Sequence, residues 1–108
     1  MTYEAILNQL GYTPNEALSL QLARIEENTH GYEKIIKHIL DLHEALKLSE
    51  SYVAMSNSND YFKIKIDSTS EISAAEAMEK INHFADKYKV KLQKVDGKPT
   101  YYIIGFAA

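Results

Sequence analysis

Apolar residues recur at alternating steps of four and three between residues 18 and 46 of this chain. The positions that carry the repeat are Leu18, Leu22, Ile25, Thr29, Tyr32, Ile36, Ile39, His43 and Leu46. Residues at these steps form one stripe along a helix, and such a stripe is buried against other helices. The stripe therefore predicts how the chain packs and associates, and it identifies no substrate and no reaction.

Two folds are compatible with this stripe, and the His30-Gly31 pair decides between them. If the helix breaks there, residues 14–29 and 32–48 fold back as an antiparallel hairpin with residues 28–31 as the turn. If it continues, about 34 residues with a rise of roughly 1.5 Å each form a rod that is longer than the domain and needs a partner. A helical glycine costs only about 1 kcal/mol, so Gly31 alone does not exclude the rod.

Two segments have more apolar surface than one contact requires. The segment from Tyr32 to Leu48 carries a second apolar stripe, which fits a sheet on one side and a helix of this chain or of a second copy on the other. The run from Tyr101 to Ile104 is apolar on both faces, as in a central strand or in an edge strand that pairs with a second subunit. We predict an association surface composed of Tyr32, Ile35, Ile36, Ile39, Leu42, His43, Leu46, Tyr101 and Ile103.

His43 is a histidine at an apolar stripe position. If burial favours the neutral imidazole, protonation near about pH 6 loosens the contact that His43 makes. Two interpretations follow: a pH-sensitive switch in an interface, and a hydrogen-bonded histidine of the core without a regulatory role.

The helix starts are indicated by capping patterns. Thr13-Pro14-Asn15-Glu16 predicts Thr13 as the N-cap of the second helix, after a short first helix from Tyr3 to Leu10. A DNA-reading helix-turn-helix is excluded for this pair, because the second helix ends in Glu26-Glu27 and has only Arg24 as a cation for phosphates.

Beyond Ser49 the period changes from helical to alternating, which indicates strands. Residues 51–56 and 61–67 predict one hairpin, and residues 90–95 and 100–106 predict a second. The helix between them is expected to start with the capping box Ser73 to Glu76, with Ile72 as a hydrophobic staple. The predicted fold is α+β: N-terminal helical segments, as a helical hairpin or one long helix, followed by β-β-α-β-β in a mostly antiparallel four-stranded sheet covered by helices. The sequence does not determine the strand order.

Length and composition indicate one domain over residues 1–108, with a helical part at 1–49 and a ββαββ part at 50–108. Of the 108 residues, 45% are apolar and 25% are charged, which is sufficient for one ordinary core. Because cysteine is absent, the sequence excludes disulfides, thiolate zinc sites, iron–sulfur clusters and a cysteine nucleophile. A signal peptide and a run of membrane-spanning length are not found, so we expect a cytoplasmic protein without a membrane partner.

The net charge of −3 is unevenly distributed. Residues 1–60 carry four basic and nine acidic side chains, whereas residues 61–108 carry eight and six. In the second part lysines are interleaved with tyrosines, as in single-stranded nucleic-acid binders. Lysines on exposed strands ordinarily protect an edge from pairing, and no arginine accompanies these, so a nucleic-acid partner is the less favoured interpretation. The candidate anionic-ligand face consists of Lys63, Lys65, Lys91 and Tyr101.

Patterns that carry catalysis are not found. The sequence has no phosphate-binding glycine loop, no HExxH and no GxSxG. Glu79, His83 and Asp86 share a helical spacing, but nothing nearby supplies further ligands, so we expect no metal and no cofactor. The expected function is therefore non-enzymatic protein–protein association, foremost self-association as a homodimer or higher oligomer. The alternative is a ligand-binding or single-stranded nucleic-acid-binding module that uses the lysine and tyrosine face.

Overall fold

The computed structural model describes residues 1–108 and contains four helices and four strands. In chain order these are α1 (Tyr3–Gln9), α2 (Glu16–Asn28), α3 (Tyr32–Lys47), β1 (Ser51–Met55), β2 (Phe62–Ile66), α4 (Glu71–Tyr88), β3 (Val90–Lys94) and β4 (Thr100–Phe106). Three helices followed by ββαββ confirm the predicted α+β class.

The four strands form one antiparallel sheet in the order β1-β2-β4-β3. The two hairpins therefore meet through β2 and β4, where Phe62 lies opposite Ile103 and Lys63 lies opposite Tyr102. β4 is thus a central strand and not an edge. Because successive side chains of a strand point to opposite faces, this register places Phe62 and Ile103 on one face and Lys63 and Tyr102 on the other.

The helices cover only one face of the sheet. α3 packs against β1 and β4, and α4 packs against β2 and β3. On that face Val53, Ile64 and Ile103 are completely buried. On the opposite face, half-exposed residues of β1, β2 and β4 form what we call the open face of the sheet: Tyr52, Ala54, Lys63, Lys65, Tyr102 and Ile104.

The helix breaks at Gly31, where the backbone adopts a left-handed conformation with φ of 66°. The link is held by the end of β4, because the Phe106 N–H donates to the His30 carbonyl oxygen at 2.7 Å and His30 forms a bridge with Gly105. A Cβ atom on Gly31 would lie 2.6 Å from the Phe106 Cβ. Of the two alternatives, the continuous rod is therefore wrong and the helix breaks. The two helices pack mainly against other elements, α2 against α1 and β1, and α3 against β1, α4 and β4.

Both predicted capping boxes were wrong by two or three residues. α2 is capped by Asn15, whose side chain accepts from the Leu18 N–H at 2.8 Å, and asparagine is a better N-cap than the expected Thr13. α4 begins earlier than expected, because the Ser70 hydroxyl accepts from the Ser73 N–H at 3.1 Å. Ile72 therefore lies inside the first turn of α4. It is 75% exposed and forms no hydrophobic staple.

The two edges of the sheet are protected in different ways. On β1, two N–H groups that face away from β2 are bound by side chains: Val53 N–H donates to His43 Nδ1 at 3.0 Å, and Met55 N–H donates to the Tyr12 hydroxyl at 2.9 Å. On β3, lysines are exposed and a bulge lies between Lys91 and Leu92. Bound N–H groups, lysines and bulges all oppose the addition of a further strand.

Candidate anion-binding site

The residues predicted as an association surface do not form an exposed surface. Tyr32, Ile35, Ile36, Ile39, Leu42, His43 and Leu46 of α3 are buried, as is Ile103 of β4. The structure places them in or beside the core between the helices and the sheet, where the chain satisfies both stripes of α3 internally. Tyr101 is half-buried against the same core, and its hydroxyl lies 3.5 Å from the Met78 sulfur.

The residues of the predicted anionic-ligand face are divided among three places. Lys63 and Lys65 lie together on the open face of the central strand β2. Lys91 is exposed on the edge strand β3. Tyr101 lies opposite Ile64 and points toward the helices, so its neighbour Tyr102 is the tyrosine that shares a face with Lys63.

A concavity of about 500 Å³ crosses the open face of the sheet. Its floor is formed by β2 and β4, and its two walls are the β1–β2 loop and the β3–β4 turn. These walls lie at opposite ends of the two central strands, so the concavity follows the strand direction. It is lined by Ser56, Asn57, Ser58, Lys63, Lys65, Val95, Lys98, Pro99, Thr100 and Tyr102. This set contains three lysines and no carboxylate.

Hydroxyl groups meet at the β1–β2 loop end of the concavity. The Tyr102 and Ser58 hydroxyl oxygens are 3.3 Å apart, and those of Ser58 and Ser56 are also 3.3 Å apart. Hydrogen bonds from Ser58, Asn59 and Ser56, together with the charge of Lys63, lower the pKa of Tyr102. Polar groups at this end therefore stabilise negative charge at the phenol oxygen.

The chemistry that these groups supply is anion binding. Lysine ammonium groups form charge-assisted hydrogen bonds with anionic oxygens, and the hydroxyls of Thr100, Tyr102 and Ser58 add neutral donors. The sequence indicated Lys63 and Lys65 by strand alternation. Lys98 was among the lysines that the sequence set beside the tyrosines, whereas Thr100 and the serine loop were missed, because only the register of β2 with β4 brings them to the same face.

A second polar surface lies on α4, where Glu76, Glu79, Lys80 and His83 line a shallow depression. Lys80 is already used in the fold, since its Nζ donates to the Ala45 carbonyl oxygen and to the Ser49 hydroxyl, both at 2.9 Å. The structure contains no group of three or more histidine and carboxylate side chains that could hold a metal ion. Glu79, His83 and Asp86 do not form such a group either.

Comparisons with protein-family models, with curated proteins and with solved structures find no match to this chain. A membrane-spanning helix is also not found, since each helix is too short or too polar to cross a bilayer.

Proposed function

We propose that this protein binds a phosphate-bearing ligand in the concavity of the open sheet face. The observation that carries the proposal is that Lys63, Lys65 and Lys98 line one concavity that contains no carboxylate. Lysines on exposed strands ordinarily protect an edge from pairing. That explanation does not apply to Lys63 and Lys65, because β2 is a central strand with β1 on one side and β4 on the other.

The arrangement has an electrostatic cost that a bound anion would remove. Lys63 and Lys65 are two residues apart on one face, which separates their Cα atoms by about 7 Å. Like charges on neighbouring positions of a sheet face destabilise it. The only salt bridges of the chain lie elsewhere, between Arg24 and Asp60 and between Lys47 and Glu44. An anion in the concavity would therefore supply the countercharge that the chain does not supply.

Phosphate fits the donors better than an isolated carboxylate does. A phosphate group presents several oxygens in different directions, and lysine binds it as a point charge from any of these. In the concavity, ammonium groups approach from β2 and from the β3–β4 turn, whereas hydroxyl groups approach from β4 and from the β1–β2 loop. Donors from several sides are the arrangement that a tetrahedral anion requires.

Replacing both Lys63 and Lys65 with glutamine is expected to weaken the binding of inorganic tripolyphosphate about thirtyfold, because each of the two lysines contributes a charge-assisted interaction of order 1 kcal/mol. Binding is measured by titration with amide chemical shifts as the readout, and the wild-type shifts should centre on β2, β4 and the β3–β4 turn. The matched control replaces Lys37 and Lys87 with glutamine, which removes the same charge from α3 and α4. Equal affinities of the two double variants, or no wild-type binding at low salt, would contradict the proposal.

Self-association, which the apolar stripe led us to expect, gains no support from that stripe, because its residues are buried within one copy. Both sheet edges also carry features that oppose pairing. We therefore expect the mass of one chain by light scattering after size exclusion, over a hundredfold range of concentration at neutral pH. A stable dimer would contradict this expectation and would make the open face itself a candidate interface.

A further inference from the structure

We infer that the ligand of the open face is single-stranded nucleic acid, whose bases stack on Tyr61 and Tyr102 and whose phosphates contact the lysines of the concavity. This inference rests on the proposed phosphate binding and specifies its ligand. It is drawn from the order in which aromatic and cationic side chains follow one another along the two central strands.

Two tyrosine rings stand at one end of the concavity. The ring centroids of Tyr61 and Tyr102 are 6.1 Å apart, with an angle of 41° between the ring planes. Tyr61 precedes the completely buried Phe62, and its ring contacts Tyr102 on the open side of the sheet. Both tyrosines are half-exposed, so each leaves part of its ring in contact with solvent. Exposed aromatic rings on a sheet face are platforms on which unpaired bases stack.

Cations follow the tyrosines along the strands. Lys63 lies directly opposite Tyr102, and Lys65 lies opposite Thr100, two residues further from the rings. Lys98 then lines the concavity from the β3–β4 turn, which is attached to the end of β2 by the Ile66 N–H bond to the Pro99 carbonyl oxygen at 2.9 Å. The concavity therefore has an aromatic end and a row of lysines. A linear polyanion with a flat ring at one end is complementary to this sequence of rings and lysines. A compact anion would contact only part of it.

The geometry favours a single strand over a duplex. Stacking on Tyr61 and Tyr102 requires an unpaired base, and a duplex keeps its bases inside the helix. The concavity also has no helix or two-stranded arm of the kind that enters a major groove, because its floor is the sheet itself. The first 60 residues carry nine acidic and four basic side chains, so the part of the surface that they form is unfavourable for contact with the phosphate backbone.

The test compares three probes that separate stacking from charge. These are a labelled oligothymidylate of about eight nucleotides, an abasic strand of the same length, and inorganic tripolyphosphate. We expect oligothymidylate to bind about tenfold more tightly than the abasic strand, since tenfold lies within the range that the stacking of one base contributes. Its affinity should fall with salt, and the Lys63→Gln, Lys65→Gln double variant should lower the salt slope by about 1.4, or about 0.7 for each phosphate that a lysine no longer neutralises.

Tyr61→Leu is the variant that identifies the stacking site. It should reduce oligothymidylate binding several-fold, toward the level of the abasic strand, because only Tyr102 then remains as a stacking platform, and it should leave tripolyphosphate binding unchanged. The control Tyr3→Leu removes a half-exposed ring from α1, which packs against α2 and not on the open face, and should change neither. Thermal unfolding of both variants establishes that each one is folded at the assay temperature.

These results distinguish the inference of single-stranded nucleic-acid binding from the proposal of phosphate binding on which it rests. Equal binding of oligothymidylate and the abasic strand, an equal loss in Tyr3→Leu, or binding of tripolyphosphate alone would overturn the inference and leave phosphate binding standing. Failure of all three probes to bind at low salt would overturn both.

Discussion

Replacing Gly105 with alanine is expected to lower the free energy of unfolding by about 3 kcal/mol, which is the largest effect of any single substitution that we predict. Gly105 lies near the end of β4 with φ of 154°, a conformation that residues with a Cβ atom rarely adopt. A strained backbone conformation costs of order 1–3 kcal/mol. Chemical denaturation with urea, followed by circular dichroism, measures the change.

The added methyl group would also meet backbone that cannot move aside easily. A Cβ atom at position 105 would lie 2.8 Å from the His30 carbonyl oxygen and 2.9 Å from the His30 nitrogen. This is where β4 holds the α2–α3 link, since the Phe106 N–H donates to the His30 carbonyl oxygen. To relieve the clash, the link must separate from β4 and lose that hydrogen bond.

Gly97→Ala is the matched control for this prediction. Gly97 has φ of 72° in the β3–β4 turn, and a Cβ atom there would have no neighbour within 4 Å. Its substitution therefore tests the cost of the left-handed conformation alone, about 1 kcal/mol. If the two alanine variants lost the same stability, the close approach of His30 to Gly105 would not be a determinant of the fold.

The close approach of β4 to His30 also explains why the sequence alone could not predict whether the helix breaks at Gly31. Locally, Gly31 costs a helix only about 1 kcal/mol, which a long apolar stripe can outweigh. The residues that fix the break are Gly105 and Phe106, at the other end of the chain. Such long-range interactions determine structure where local preferences nearly balance, and a pattern of apolar residues contains no information about them.

The open face shows a similar division between what could be predicted and what could not. Alternation along one strand was sufficient to place Lys63 and Lys65 together. It was insufficient for Tyr101 and Tyr102, because residues 101–104 are apolar on both faces and either tyrosine could face the lysines. Only the pairing of Lys63 with Tyr102 resolves the choice, and strand register depends on partners that one sequence does not identify.

His43 was placed correctly on a buried stripe, but its partner could not be predicted. The stripe indicates which side of the helix is covered. It does not indicate that a β-strand edge lies there with an N–H group in need of an acceptor. In the structure His43 Nδ1 accepts from the Val53 N–H, so the imidazole is neutral with its proton on Nε2.

Replacing His43 with leucine is expected to lower the free energy of unfolding by about 2 kcal/mol at about pH 7.5, because the buried Val53 N–H loses its acceptor. The loss should shrink as the pH falls. Burial, and then the charge of Lys47, lower the pKa of His43 below its ordinary value of 6.5, and the opposing effect of Glu44 is smaller. The unfolded chain therefore binds the proton more readily than the folded chain does.

The direction of the pH dependence follows from this difference. The contribution of His43 is fully present above pH 6.5, the value in the unfolded chain, and it is lost as the pH falls through the lowered pKa of the folded protein. Urea unfolding at intervals from about pH 7.5 to about pH 5 should thus show a wild-type stability that declines toward that of His43→Leu. His83→Leu, on the exposed side of α4, is the control for effects of removing a histidine in general. A constant difference between the wild type and His43→Leu over this range would mean that His43 does not titrate as a buried acceptor. The interpretation of His43 as a pH-sensitive switch would then be wrong.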